Sequence, residues 1–251
     1  MGQHPYPASH SLVDSLLQAI SGLQVTSLAS ESENYARYSL DRESAIRVTA
    51  FEGDTPVRSF AVGKTASTQS NTFITLEDRP QIYLSGQNLR MTFDKSSDML
   101  RDKTVLSFPM DQVSSVTIAK GPASLELRKQ TQDEQDQGSS KQPAWTDADG
   151  TQVDSADVED LLRPLHSLKC QSYIEDRDKE AFSDPELVIT VQTDASHELR
   201  LFPRPGQEED TPYPATSSDS DYPFEISGFN GQVHSQELRL KGKFQRGRFR
   251  Q

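Results

Sequence analysis

Val13-Asp14-Ser15-Leu16-Leu17-Gln18-Ala19-Ile20-Ser21-Gly22-Leu23 and Val158-Glu159-Asp160-Leu161-Leu162-Arg163-Pro164-Leu165-His166-Ser167-Leu168 carry one pattern twice. In each, the apolar residues fall at i, i+3, i+4, i+7 and i+10, which lines one face of a helix. Ser11 followed by Asp14 predicts an N-terminal cap for the first helix, and Asp154 for the second. Pro164 stands inside the second pattern, where it removes a backbone donor and predicts a kink.

The likeness continues downstream. Tyr38-Ser39 matches Phe182-Ser183, and the alternating run from Ala45 to Phe51 matches Leu187 to Val191. Phe60 and Val62 alternate as Leu199 and Leu201 do, and the run from Ile82 to Gly86 matches the run from Phe224 to Gly228. One helix and three strands recur in the same order at a nearly constant offset, which points to a duplicated unit. Short turns such as Glu52-Gly53-Asp54 and Asp78-Arg79-Pro80 join the strands and permit only antiparallel neighbours. The expected class is α+β: two tandem similar units, each an amphipathic helix packed on a mainly antiparallel β-sheet.

The division expected along the chain is a first repeat over 10–86, a connecting region over 87–150, a second repeat over 151–240 and a basic tail over 241–251. In the connector, Asn88 to Arg101 reads as partly helical, with Leu89, Phe93 and Leu100 as buried residues. The strands Val113 to Ile118 and Ser124 to Arg128 read as a hairpin around Gly121-Pro122. Gln130 to Lys141 holds no apolar residue and reads as a flexible polar loop, followed by Trp145, the sole tryptophan. A second acidic loop, Gly206 to Asp221, interrupts the second repeat.

Composition bounds the function classes. Hydrophobic residues make up 33% of the 251, below the usual globular share, so part of the chain is loop or solvated tail. A net charge of −12 argues against binding nucleic acid through the general field of the protein. Cys170 is the only cysteine, so no internal disulfide can form, which suits a reducing cytoplasm and does not exclude a periplasm. No apolar run reaches membrane-spanning length, and Met1 to His10 is polar and proline-rich, unlike a signal peptide.

Motifs for chemistry are weak. Gly63-Lys64-Thr65 resembles the end of a phosphate-binding loop, but Arg58 occupies the position of its first glycine, and a turn glycine is the better reading. His166 and Cys170 lie at i, i+4, which is too few ligands for a metal, and His4, His10, His197 and His234 show no paired spacing. The pairs Asp98 with Asp102 and Asp157 with Asp160 read as solvated helix faces. No serine sits in a nucleophile elbow, so neither catalytic residues nor a cofactor nor a metal is expected. The basic run Arg239 to Arg250, with Arg246 and Arg248 at its end, reads first as a guarded edge strand with a frayed tail, and second as a surface for an anionic partner.

The order Leu100 to Leu106, Val113 to Ile118, Leu125 to Leu127, Trp145 and then the helix resembles the domain of unknown function 4340 family, an uncharacterised bacterial family. Phe60-Ala61-Val62-Gly63, then Phe73 and Ile82-Tyr83, fit its first repeat, and the resemblance spans roughly residues 10 to 230. It implies a membrane anchor, an extracytoplasmic location at the inner membrane and an association with ABC-type transport genes. It supplies no catalytic residues. The second repeat is preceded by a hairpin and Trp145, whereas nothing comparable stands before Ser11, so a leader lying outside this chain is expected. The function expected is therefore a non-enzymatic, periplasmic interaction module whose partner is a protein, with transporter subunits as candidates and Trp145, Tyr83, Arg246 and Arg248 as binding residues. The alternatives are a ligand-binding or hydrolytic protein with a site between the repeats, and a cytoplasmic location.

Overall fold

A computed structural model describes residues 5–67, 69–77, 79–130, 144–206 and 211–227. The chain divides into two compact units, one over Tyr6–Asp102 and one that begins at Lys103. Residues 87–150, expected to connect the repeats, are split by that boundary: 87–102 fold with the first unit, and the hairpin that follows folds with the second. The architecture is α+β and strongly sheet-rich, with about twice as much strand as helix.

The first unit opens with helix α1, His10–Ser21, followed by strand β1, Val25–Ser30, and a 3-10 turn over Tyr35–Tyr38. Strands β2 (Ile46–Glu52), β3 (Thr55–Thr65), β4 (Thr72–Leu76) and β5 (Arg79–Ser85) come next, and the short helices α2 (Leu89–Phe93) and α3 (Ser97–Leu100) close the unit. The sheet order is β1-β5-β4-β3-β2, antiparallel throughout. The meander follows from the turn chemistry: Gly53, at φ +61°, supplies the left-handed residue of the β2–β3 turn.

Alternation along β3 fixes both faces of this sheet. Phe60 and Val62 point to one side and pack with Leu23, Ile74 and Leu89, against which Ile20 of α1 and Phe93 of α2 are half-buried. Ala61 points to the other side and packs with Leu40 and Ile82, with Tyr38 and Phe73 beside them. Gly63 is required where β3 passes the 3-10 turn: a Cβ there would lie 2.3 Å from the Tyr38 carbonyl oxygen and 2.8 Å from Leu40 Cγ. The glycine of the Gly63-Lys64-Thr65 motif is thus a packing glycine inside a strand.

Helix α1 starts earlier than its sequence suggests. Ser9 is the N-cap and makes no side-chain cap bond, so the expected Ser11–Asp14 cap does not form. At the other end, the Arg58 guanidinium on β3 donates to the Ile20 carbonyl at 2.6 Å. It supplies the positive charge that the last turn of α1 lacks, and ties helix to sheet.

The second unit contains β6 (Thr104–Ser107), β7 (Ser115–Lys120), β8 (Ala123–Lys129), β9 (Trp145–Asp147) and β10 (Gln152–Val153), then helix α4 (Ser155–Leu162). Strands β11 (Ser167–Lys169) and β12 (Ser172–Tyr173), a 3-10 turn over Lys179–Ala181, and β13 (Leu187–Gln192), β14 (Ser196–Leu201), β15 (Tyr213–Ser217) and β16 (Phe224–Ile226) complete it. Nine strands form one sheet in the order β10-β9-β8-β7-β13-β14-β15-β16-β12, and β11 pairs separately with β6. The expected hairpin is β7–β8, turning at Gly121 with φ +53°. It joins the sheet through β7, which runs antiparallel to β13 from Val188↔Ala119 to Gln192↔Ser115.

Asp154 caps α4 as its sequence predicts, accepting from the Ala156 N–H at 3.0 Å. The helix is shorter than the apolar pattern. Pro164 offers no N–H to the Asp160 carbonyl, so α4 ends at Leu162, and the N–H groups of Leu165 and His166 both turn back to the Leu162 carbonyl. The helix is therefore stopped by its proline, not kinked, and Leu168 lies on β11.

The two helices differ in burial despite their shared pattern. Val158, Leu161, Leu162 and Leu165 are at most 2% exposed, whereas Val13, Leu16 and Ile20 are half-buried and Leu17 is 55% exposed. Truncation should read that difference directly. Leu162→Ala is expected to cost about 2–4 kcal/mol of unfolding free energy, and Leu17→Ala less than about 1 kcal/mol, as measured by urea denaturation.

Candidate functional site

The structure separates the residues that sequence reading singled out. Trp145 lies on β9 and is 5% exposed, so it is a core residue. Tyr83 is half-buried on β5, packed beside Ile74 and the rest of the core under α1. Arg246 and Arg248, with the whole tail 241–251, lie outside the described residues, as do 131–141 of the polar loop and His4 and His234. His166 Nδ1 is 2.6 Å from the Arg163 carbonyl oxygen, where it caps the end of α4, and Cys170 is buried. Among the described residues no group of three or more His, Cys, Asp and Glu side chains could hold a metal ion. None of the described helices is long and apolar enough to cross a membrane.

Two features remain. The first is an open groove of about 780 Å³ over the face of the first sheet that α1 does not cover. Strand alternation puts Arg47, Thr49, Ser59 and Thr75 on its floor, while Glu33, Asp41, Arg42, Glu77 and Arg79 stand around it. Three arginines and three carboxylates thus face one surface with no net charge and no imidazole or thiol among them. Asp41 braces the rim. Partial burial works against its ionisation, but the N–H groups of Ser44 and Glu43 and the Ser44 hydroxyl outweigh that and hold the carboxyl below its usual range.

The second feature escaped the sequence reading. His197 Nδ1 lies 3.1 Å from a carboxylate oxygen of Asp219, which also accepts the Ser107 N–H at 3.0 Å and the Ser218 hydroxyl at 2.6 Å. Partial burial favours the neutral acid, yet these donors prevail and keep the Asp219 carboxyl below its usual range. An ionised carboxylate only accepts, so Nδ1 donates and the imidazole is held in one orientation, with the Phe108 ring 5.5 Å away. That is the orienting half of a catalytic triad. The neighbouring Ser218 hydroxyl does not complete one, because it gives its proton to Asp219 and not to the imidazole. A signal was available in the hairpin register: Leu199 pairs with Ser217, and two steps further along the same antiparallel ladder His197 faces Asp219.

Such features define a sheet-rich α+β protein. A family model described as a domain of unknown function (DUF4340) matches residues 2–187, and the chain belongs to that family. The match takes in the whole first unit, the β7–β8 hairpin and α4, and ends at the first residue of β13. No curated protein and no solved structure matches the chain.

The Asp219 network makes a pH-dependent prediction. A carboxyl whose folded pKa lies below its unfolded value contributes stability above the unfolded pKa, and that contribution is lost as pH falls through the folded value. Asp219→Asn is therefore expected to lower stability at neutral pH by about 1–2 kcal/mol and to flatten the loss of stability below about pH 4. Urea titrations at neutral and acid pH check both arms.

Proposed function

We propose that this chain is a non-enzymatic interaction module of the cell envelope, built from two copies of one structural unit and serving as an accessory to an ABC-type transport system. The observation that carries the duplication is topological. The order β1-β5-β4-β3-β2 and the order β12-β16-β15-β14-β13 are the same path, and in each a helix, the edge strand and a 3-10 turn come first, with β11 inserted after the helix in the second. The registers agree as well: Ile46↔Val62 and Val48↔Phe60 answer to Leu187↔Leu201 and Ile189↔Leu199. Non-glycine residues with positive φ follow both 3-10 turns, Ser39 at 55° and Asp184 at 57°.

A module that works by complementarity needs faces, and the mixed-charge groove of the first unit offers one. Its three arginines and three carboxylates suit a polypeptide segment carrying both signs of charge, with specificity set by pairing rather than by net field. The envelope setting is what the resemblance to the family implies, and the binding role rests on the mixed-charge groove. The hydrolytic reading rests on His197 and Asp219 alone, and it requires a hydroxyl or water on the other imidazole nitrogen.

Affinity capture from detergent-solubilised membranes of the native host tests the proposal. Recovery of transporter subunits with the tagged protein is expected, and recovery of none overturns it. Arg47→Glu with Arg79→Glu should reduce that capture about tenfold or more while leaving the thermal midpoint within a few degrees, because both side chains are exposed.

A further inference from the structure

The two units differ at one edge. In the second, β13 is paired on its outer side by β7, with Ile189 opposite Ile118 and Val191 opposite Val116. In the first, the corresponding strand β2 ends the sheet, and among the described residues no strand pairs with its outer side. The helix beside the open edge is also the under-buried one. Leu17 is 55% exposed and Val57 56%, and with Ile20 and Ala50 they line a depression of about 520 Å³ between α1 and the β2–β3 hairpin. Phe51, at the end of β2, is 62% exposed.

We infer that the outer edge of β2 is a self-association surface, where β2 of a second copy pairs antiparallel with it across a two-fold axis. What the edge lacks is specified by what β13 has: an antiparallel strand, apolar at alternate positions on the helix side and belonging to a hairpin. Strand β2 meets that description itself, with Ile46, Val48 and Ala50 on the helix side and β3 as its hairpin partner. A two-fold axis through Val48 sets Ile46 of the second copy opposite Ala50, beside the apolar depression. The same register puts Arg47 opposite Thr49 and Ser44 opposite Glu52, so no like charges face each other. Strand β2 has no proline and no lysine; its charges are Arg47, on the face away from the helix, and Glu52 at its end, and its bulge comes only after Ala50. Electrostatic repulsion is modest, since residues 6–102 hold nine Lys and Arg against twelve Asp and Glu, leaving most of the −12 on the other unit.

This inference rests on the correspondence of the two units and is independent of any transporter partner, so it survives or fails separately from the capture experiment. The test is sedimentation of the whole chain across a range of concentrations, with hydrogen exchange read on β2. A concentration-dependent dimer is expected, with β2 amides becoming protected as it forms. Leu17→Lys with Val57→Lys should raise the dimer dissociation constant at least about tenfold without moving the unfolding midpoint, both side chains being exposed in the single copy. A chain that stays monomeric at its solubility limit overturns the inference. So does a dimer indifferent to the two lysines, or a monomer whose β2 amides gain protection only when envelope extract is added, which would give the edge to another protein's strand.

Discussion

The close approach of β3 to the 3-10 turn at Tyr38 governs the first unit. A strand whose consecutive residues Phe60, Ala61 and Val62 are all buried needs a cover on each face. Helices α1 and α2 cover one. The other is covered by Leu40 and the Tyr35–Tyr38 turn, which can sit against the sheet because Gly63 leaves room for the Tyr38 carbonyl. Any larger residue at 63 would force the turn outward and uncover Ala61 and Ile82. The groove over this face begins where that cover stops, so its shape is a by-product of how far the loop before β2 reaches.

Much of this architecture was legible in the sequence, and for identifiable reasons. Alternation in Ile46-Arg47-Val48 and in Leu187-Val188-Ile189 has a period of two, which strands impose on any half-buried sheet. Asp154 announced its helix because a carboxylate acceptor before an apolar run has few other uses. The misreadings have equally local causes. The apolar spacing at Leu165 and Leu168 continued the helical period, but a missing N–H at Pro164 outweighed it. Ser11 and Asp14 resembled a cap because the rule sees only residue types, whereas Ser9 already held the position. Trp145 offers itself as an anchor because it is the sole tryptophan, but a core position is the better reading of it, and its bulk fills a core.

Tertiary pairings were harder to read. His197 and Asp219 are 22 residues apart, and they meet because β14 and β15 are neighbours whose register carries the ladder past the end of β15. Arg58 reaches α1 across 38 residues for a similar reason: the β2–β3 turn brings the start of β3 back beneath the helix end. Neither contact has a local signature. Both become visible once strand order and register are fixed, so side-chain chemistry in this protein is a consequence of ladder arithmetic more than of motif.

Strand order also sets a timetable. The first sheet is complete when β5 has been made, and every pairing in it joins residues from a continuous stretch of fewer than 90. The second sheet cannot be closed until the last described strand exists, because β7 waits about 70 residues for β13, and β12 waits about 50 for β16. During vectorial synthesis the first unit can therefore fold while the ribosome is still making β7–β8, which emerges as a lone hairpin with an apolar face and an open edge. For that interval a finished first unit is followed by an unfinished second one, and the hairpin that later widens the second sheet carries an edge with no strand yet made to pair with it.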